Sequence, residues 1–119
     1  MSLLQWFHRN TRRPAVERRH SERFAVNEIV RIERAGAPVG LGCLRDVSLG
    51  GAFLETSRRS QRKGHLRLRL TSLDASVDDA CWVEADVTRT HRGGVGLQWQ
   101  VYGAQPVVQL LAWRSRARP

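Results

Sequence analysis

Cysteine is scarce in this 119-residue chain, which contains only Cys43 and Cys81. The two form one distant pair without the close spacing of zinc ligands, so the sequence indicates neither a disulfide framework nor a zinc site. Both lie in apolar, strand-like surroundings, where a free cysteine is usually a small core residue.

Catalytic and metal-binding motifs are also missing. The four histidines are scattered through arginine-rich segments and show no ligand spacing such as His-x-x-x-His; they are His8, His20, His65 and His91. No Gly-x-Ser-x-Gly elbow and no Walker-type phosphate loop occurs, and Asp78 and Asp79 have no obvious partner. We therefore expect no enzymatic activity, no metal and no cofactor.

Long apolar runs are absent as well. No stretch approaches the length of a transmembrane helix, and the opening MSLLQWF lacks the basic segment of a signal peptide, which predicts a cytoplasmic protein. Residues 1–23 carry six arginines and two glutamates and have little apolar content after Phe7. We interpret residues 1–16 as a flexible basic arm. The alternative is a short amphipathic membrane anchor that uses Leu3, Leu4, Trp6 and Phe7.

The positive charge is the most unusual feature that is present. The net charge is +9, and nineteen of the twenty basic residues are arginine, with Lys63 as the one lysine. Such a field favours polyanionic or phosphate-bearing partners, because it attracts and steers them. Guanidinium groups also suit phosphate and guanine recognition, although a G+C-rich genome that favours arginine codons is the better explanation for most of these positions.

Six short strand-like segments follow the arm and are separated by turn signals. They span residues 24–33, 39–47, 51–56, 65–71, 81–90 and 94–101. No helical segment between them is long enough for parallel crossovers, so the pattern predicts an antiparallel barrel or sandwich.

Alternation within the later strands predicts which side chains face the core. Leu66, Leu68 and Leu70 should point inward, with Arg67 and Arg69 in solvent. The same spacing in the next two strands predicts two further inward sets, which are Cys81, Val83, Ala85 and Val87, and then Val95, Leu97, Trp99 and Val101.

The end of the chain predicts a short helix packed on the sheet. Gly103 ends the last strand, and Pro106 suits the first turn of a helix. We expect this helix to fray after Arg114. Its predicted apolar stripe consists of Val107, Val108, Leu111 and Trp113.

Three arginines stand where the arm meets the first strand, namely Arg18, Arg19 and Arg23. A guanidinium can hold a phosphate through two hydrogen bonds, bond the O6 and N7 atoms of guanine, or stack on a base. Arginines four residues apart carry little weight alone in a chain so rich in them.

A second group of candidates lies in the turn after the second strand. The Asp46 carboxylate can accept hydrogen bonds from the donors on the Watson–Crick edge of guanine. Ser48 can donate to a phosphate or accept from the exocyclic amine, while Gly50 and Gly51 permit positive φ and a close approach of the backbone to a flat ligand. Taken alone, these residues also predict an ordinary Asx-type turn between strands.

In combination, the two groups resemble the signature of one family. Arg19-x-x-x-Arg23 followed by Asp46-x-Ser48-x-x-Gly51 is similar to the two-part motif RxxxR and [D/N]xSxxG of PilZ domains. The segments GGAFLET and GVGLQW also look like strands of that family.

The resemblance covers about residues 17–114, with 115–119 left as a basic tail, and it implies a six-stranded antiparallel β-barrel with a short C-terminal helix. It also implies a bacterial receptor for cyclic di-GMP, in which Arg19 and Arg23 wrap around the guanines and phosphates. The turn residues named above would meet the ligand on the barrel surface. Arg18 suggests an intercalated pair of ligands, because one more guanidinium can stack on a second guanine.

Because no effector domain is evident, we expect a stand-alone adaptor that is monomeric or weakly dimeric. Ligand binding would order the arm, and an unidentified effector protein would recognise the new surface. Two alternatives remain. One is a basic β-barrel that binds nucleic acid through arginines such as those of HLRLRL, although no exposed aromatic ladder accompanies them apart from Trp82. The other is a PilZ-like protein-interaction module that binds no ligand.

Overall fold

The structure, a computed structural model, describes residues 22–57, 61–73 and 81–117, with side chains as far as residue 113. This part of the chain contains six strands and one helix. They are β1 (Phe24–Arg34), β2 (Ala37–Val47), β3 (Gly51–Thr56), β4 (Gly64–Leu70), β5 (Trp82–His91), β6 (Gly94–Trp99) and α1 (Gln105–Ala117). The predicted arm, residues 1–16, lies outside the described residues.

The strands form a closed barrel rather than a sandwich. Its order is β1-β2-β3-β6-β5-β4, and every neighbouring pair is antiparallel. Closure comes from β1 and β4, whose register runs from Val30 opposite Leu70 to Glu33 opposite Arg67. Closure leaves the sheet without an unpaired edge, and the predicted six-stranded antiparallel barrel is confirmed.

The barrel interior is filled by the residues that alternation assigned to it, with one exception. Leu66, Leu68 and Leu70 are buried, as are all four predicted residues from Cys81 to Val87. In the last strand the prediction fails for Val101, which is 65% exposed because β6 ends at Trp99 and the chain turns away before Val101.

The C-terminal helix packs on the barrel through a narrower stripe than predicted. Val107 and Leu110 are buried, whereas Val108 and Trp113 are exposed. Helical periodicity explains the difference, because positions i and i+3 share the face that meets the core and i+1 does not. The helix also continues past Arg114 to residue 117, since no glycine or proline interrupts this stretch. Within the described residues, no helix is both long and apolar enough to cross a membrane.

We expect core truncation in β3 to be costly. Leu54 is fully buried, and Leu54→Ala should lower the free energy of unfolding by about 2–5 kcal/mol because it leaves a cavity. Leu41→Ala is the matched control, since Leu41 is 64% exposed in β2, and it should change stability by less than about 0.5 kcal/mol. Urea denaturation measures both values. Equal losses would contradict the assignment of Leu54 to the core.

Candidate functional site

The two halves of the sequence motif meet where β1 begins and β2 ends. Antiparallel pairing sets Phe24 opposite Val47 and Ala25 opposite Asp46. Arg23 stands immediately before β1, and its Nη1 donates a hydrogen bond to Asp46 Oδ1 at 2.5 Å. The Arg23 and Asp46 side chains are 49% and 34% exposed, so this pair lies at the barrel rim within reach of a ligand.

Irregularities in the sheet aim Asp46 at this position. The β1–β2 register shifts between Ala25 and Glu28, and the β2–β3 register shifts between Leu44 and Asp46. Arg45 is therefore an extra residue in β2 relative to β3. A bulge of this kind bends the strand and turns the side chains beside it.

The bulge is held by a second set of polar contacts that the sequence reasoning missed. Arg45 Nε donates to Glu55 Oε2 at 2.8 Å, and Arg45 Nη1 donates to Asn27 Oδ1 at 2.6 Å. The hydrogen bond and the charge of Arg45 lower the pKa of the Glu55 carboxyl group below its usual value. No short-range signal links these three residues, because their pairing follows from strand register.

The Ser48 side chain is buried, with only 2% of the residue exposed. Its Oγ accepts hydrogen bonds from the N–H groups of Gly50 at 3.3 Å and Gly51 at 3.1 Å, and it donates to the Gly51 carbonyl at 3.2 Å. These bonds use the one proton and both lone pairs of the hydroxyl group. Ser48 therefore shapes the turn, in line with the ordinary-turn alternative, and its contact with a ligand stays a prediction.

Glycine is required at position 51 because a side chain there would collide with the neighbouring strand, and not because the backbone has unusual dihedral angles. A Cβ atom at this position would lie 2.2 Å from the Leu97 carbonyl oxygen of β6. Gly50 and Gly51 are not among the residues with positive φ, so neither uses the left-handed conformation that glycine permits. The close approach is therefore that of β3 to β6, a neighbour that the sequence does not reveal locally.

Hydrogen bonds from β6 and from the segment that leads into α1 also hold the turn in place. The indole Nε1 of Trp99 donates to the Ser48 carbonyl at 2.9 Å. The backbone N–H of Trp99 donates to the Gly50 carbonyl at 2.9 Å, and that of Gly103 donates to the Leu49 carbonyl at 2.8 Å. Trp99, predicted only as a core residue, thus also positions the candidate site.

The predicted site residues divide into three groups. The structure brings Arg23 and Asp46 into contact, and it places the turn from Ser48 to Gly51 directly after Asp46. Arg18 and Arg19 lie outside the described residues. Within the described part of the chain, no group of histidine, cysteine, aspartate and glutamate residues is arranged to hold a metal ion.

A closed six-stranded barrel whose rim presents an arginine–aspartate pair beside a fixed turn belongs to a class of small binding modules. The family sequence model of the PilZ domain matches residues 17–113 of this chain. The chain therefore belongs to the PilZ family. Members of this family are generally cyclic di-GMP-binding modules.

A solved PilZ domain agrees with this chain on the fold. The crystal structure of the PilZ domain of CeSA from a cellulose-synthesizing bacterium matches 80% of this chain and 99% of its own, with a TM-score of 0.63 and 19% identity. An uncharacterized Legionella protein matches 80% of this chain and 94% of its own, with a TM-score of 0.49 and 14% identity. No curated protein matches the sequence.

The tight contact between β3 and β6 gives a stability prediction. Gly51→Ala should lower the free energy of unfolding by about 1–3 kcal/mol, because the added methyl group forces the two backbones apart. Gly96→Ala is the matched control, since its Cβ would meet nothing nearer than 3.6 Å. Thermal denaturation compares the two variants. A Gly51→Ala protein that melts at the wild-type temperature would overturn the steric argument.

Proposed function

We propose that this chain is a cyclic di-GMP receptor without enzymatic activity, which binds the nucleotide at the barrel rim through Arg19, Arg23 and Asp46. The observation that carries the proposal is the contact between Arg23 and Asp46 in a member of the PilZ family. This contact joins the two halves of the motif in space, although they are separated by most of β1 and β2.

The chemistry of the pair fits both parts of the ligand. Arg23 has five N–H donors, and one of them bonds Asp46, so others remain for a phosphate or for the O6 and N7 atoms of guanine. A carboxylate has about four acceptor sites, so Asp46 can keep its bond to Arg23 while it accepts from the N–H groups of guanine. Guanine recognition therefore does not require the pair to separate.

The turn supports this contact in two ways. Its internal hydrogen bonds keep Ser48 and Gly51 fixed, which holds the end of β2 in place without a cost at the moment of binding. Gly50 is partly exposed and carries no side chain, so a flat base can lie against it. We assign Ser48 and Gly51 mainly to the shape of the site and Gly50 to the surface that meets the ligand.

The segment between the arm and β1 supplies the remaining proposed contacts. Arg18 and Arg19 precede Arg23 by a few residues, and ordering this segment costs about 1–2 kcal/mol for each residue that becomes fixed. Charge-assisted hydrogen bonds to phosphate offset that cost only over a short segment. The ordered segment would then form the surface that an effector protein recognises. Arg18 would stack on the second guanine of an intercalated ligand pair.

Removing the rim arginines should weaken cyclic di-GMP binding. Arg19→Ala and Arg23→Ala should each lower affinity at least about tenfold, because hydrogen bonds to charged groups contribute about 1.5–3 kcal/mol. Isothermal titration calorimetry measures affinity and stoichiometry together. We expect two ligands per wild-type chain and fewer after Arg18→Ala. The control is Arg69→Ala in β4, which removes the same charge away from the rim. Wild-type affinity in the Arg23 variant would refute the site.

Asp46 should determine the preference for guanine. Asp46→Ala removes the acceptor for the guanine N–H groups, so the ratio of affinities for cyclic di-GMP and cyclic di-AMP should fall at least about tenfold. Competition titrations with the two dinucleotides measure this ratio. Glu33→Ala, which removes a carboxylate from the opposite end of β1, should leave the ratio unchanged. An unchanged ratio in the Asp46 variant would show that guanine is recognised elsewhere.

A further inference from the structure

A groove of about 790 Å³ lies on the outer face of the barrel, away from the rim. It runs across β2, β1, β4 and β5, and we call it the outer groove. Its lining includes Arg31, Pro38, Leu41, Arg67, Arg69 and Trp82. The groove combines positive charge with apolar surface, and the proposed cyclic di-GMP site uses none of these residues.

Strand register sets four of these residues in one row. Leu41 lies opposite Arg31, Arg31 lies opposite Arg69, and Arg69 lies opposite Trp82. All four point outward, because the neighbouring positions of β1, β4 and β5 are buried in the barrel. An apolar side chain therefore stands at each end of the row, with two guanidinium groups between them.

The described residues offer the two arginines in this row no opposite charge. Like charges directly opposite each other on paired strands destabilise a sheet. Among the described residues, neither Arg31 nor Arg69 forms an ion pair, whereas the neighbouring Arg67 bonds Glu84 at 3.2 Å and approaches Glu33 at 3.8 Å. The fold thus carries an unfavourable contact that an anionic group placed between the two arginines would relieve.

We propose that the outer groove binds an acidic peptide segment of a partner protein. Carboxylates of the segment would bridge Arg31 and Arg69, and an apolar side chain would pack against Leu41 or Trp82. Arginine and tryptophan are the residue types that contribute most to binding energy at protein interfaces. The net charge of +9 would also attract an acidic partner and speed the encounter.

The details of the groove favour a peptide over a nucleic acid. The guanidinium carbon of Arg67 lies 4.2 Å from the centre of the Trp82 ring, so one face of that ring is already covered. Glu33 and Glu84 flank Arg67 and would repel a continuous phosphate backbone. Because the barrel is closed, the peptide must bind through side chains and not as an added strand.

The test is a direct titration of the full chain without any nucleotide. The probe is a fluorescein-labelled peptide of alternating glutamate and leucine, and fluorescence anisotropy measures its binding. We expect saturable binding that weakens at least about tenfold in the Arg31→Ala, Arg69→Ala double variant. The melting temperature of this variant should stay the same or rise, because the like-charge contact is lost.

A matched double variant separates the groove from the general charge of the protein. Arg89→Ala with Arg92→Ala removes the same charge from exposed positions at the far end of β5 and should bind the peptide as the wild type does. A second measurement needs no variant: in an NMR titration the indole N–H signal of Trp82 should shift, while that of buried Trp99 should not.

Four outcomes would overturn the proposal. They are the absence of saturable peptide binding, equal loss in both double variants, equal binding of a peptide with glutamine in place of glutamate, and tighter groove-dependent binding of a single-stranded oligonucleotide. Since the titration contains no cyclic di-GMP, failure here leaves the proposed receptor function standing. Failure of cyclic di-GMP binding likewise leaves the groove untouched.

Discussion

The turn between β2 and β3 is the constraint on which the site depends. Its first residue, Ser48, is buried, and the polar groups of that residue must therefore find partners inside the protein. The Ser48 hydroxyl group bonds within the turn, the indole of Trp99 donates to the Ser48 carbonyl, and Gly103 donates to that of Leu49. One short turn thereby connects the second strand, the last strand and the start of the helix.

This arrangement fixes one side of the candidate site, while the other side rests on a surface contact. Asp46 stands between the β2 bulge and the fixed turn, so little freedom remains for binding to remove. On the other side, Arg23 precedes β1 and donates a hydrogen bond to Asp46 at the surface. A surface ion pair of this kind contributes only about 0–1 kcal/mol, so Arg23 can rearrange at little cost. The proposed ordering of the arm on ligand binding would benefit from this imbalance.

The barrel was predictable from sequence because its strands alternate cleanly. The spacing of Leu66, Leu68 and Leu70 against two arginines assigns both faces of β4 without reference to any other strand. Contacts between neighbouring strands could not be predicted from this alternation. The contact of Gly51 with the Leu97 carbonyl requires β3 to lie beside β6.

The prediction of the candidate site from sequence was limited for the same reason. The motif identified Asp46 and Ser48 together, yet one is exposed at the rim and the other is buried in the turn, because the bulge and the turn send them in different directions. Local pattern specifies which residue types are present, whereas register and closure decide which of them meet. The motif was informative only because its two halves are brought together by the pairing of β1 with β2.

Closure also explains why the same residue type has different effects at two places on the barrel. At the rim, the charge of Arg23 is partly neutralised by Asp46, so a ligand gains mainly from the matching of donors and acceptors, which favours selectivity. In the outer groove, the pairing of β1 with β4 sets Arg31 against Arg69, and no described residue neutralises either charge. An anionic partner there gains from charge itself, which favours fast, salt-dependent association over discrimination. The two proposed surfaces are therefore physically distinct, one suited to recognising a nucleotide and the other to attracting an acidic protein.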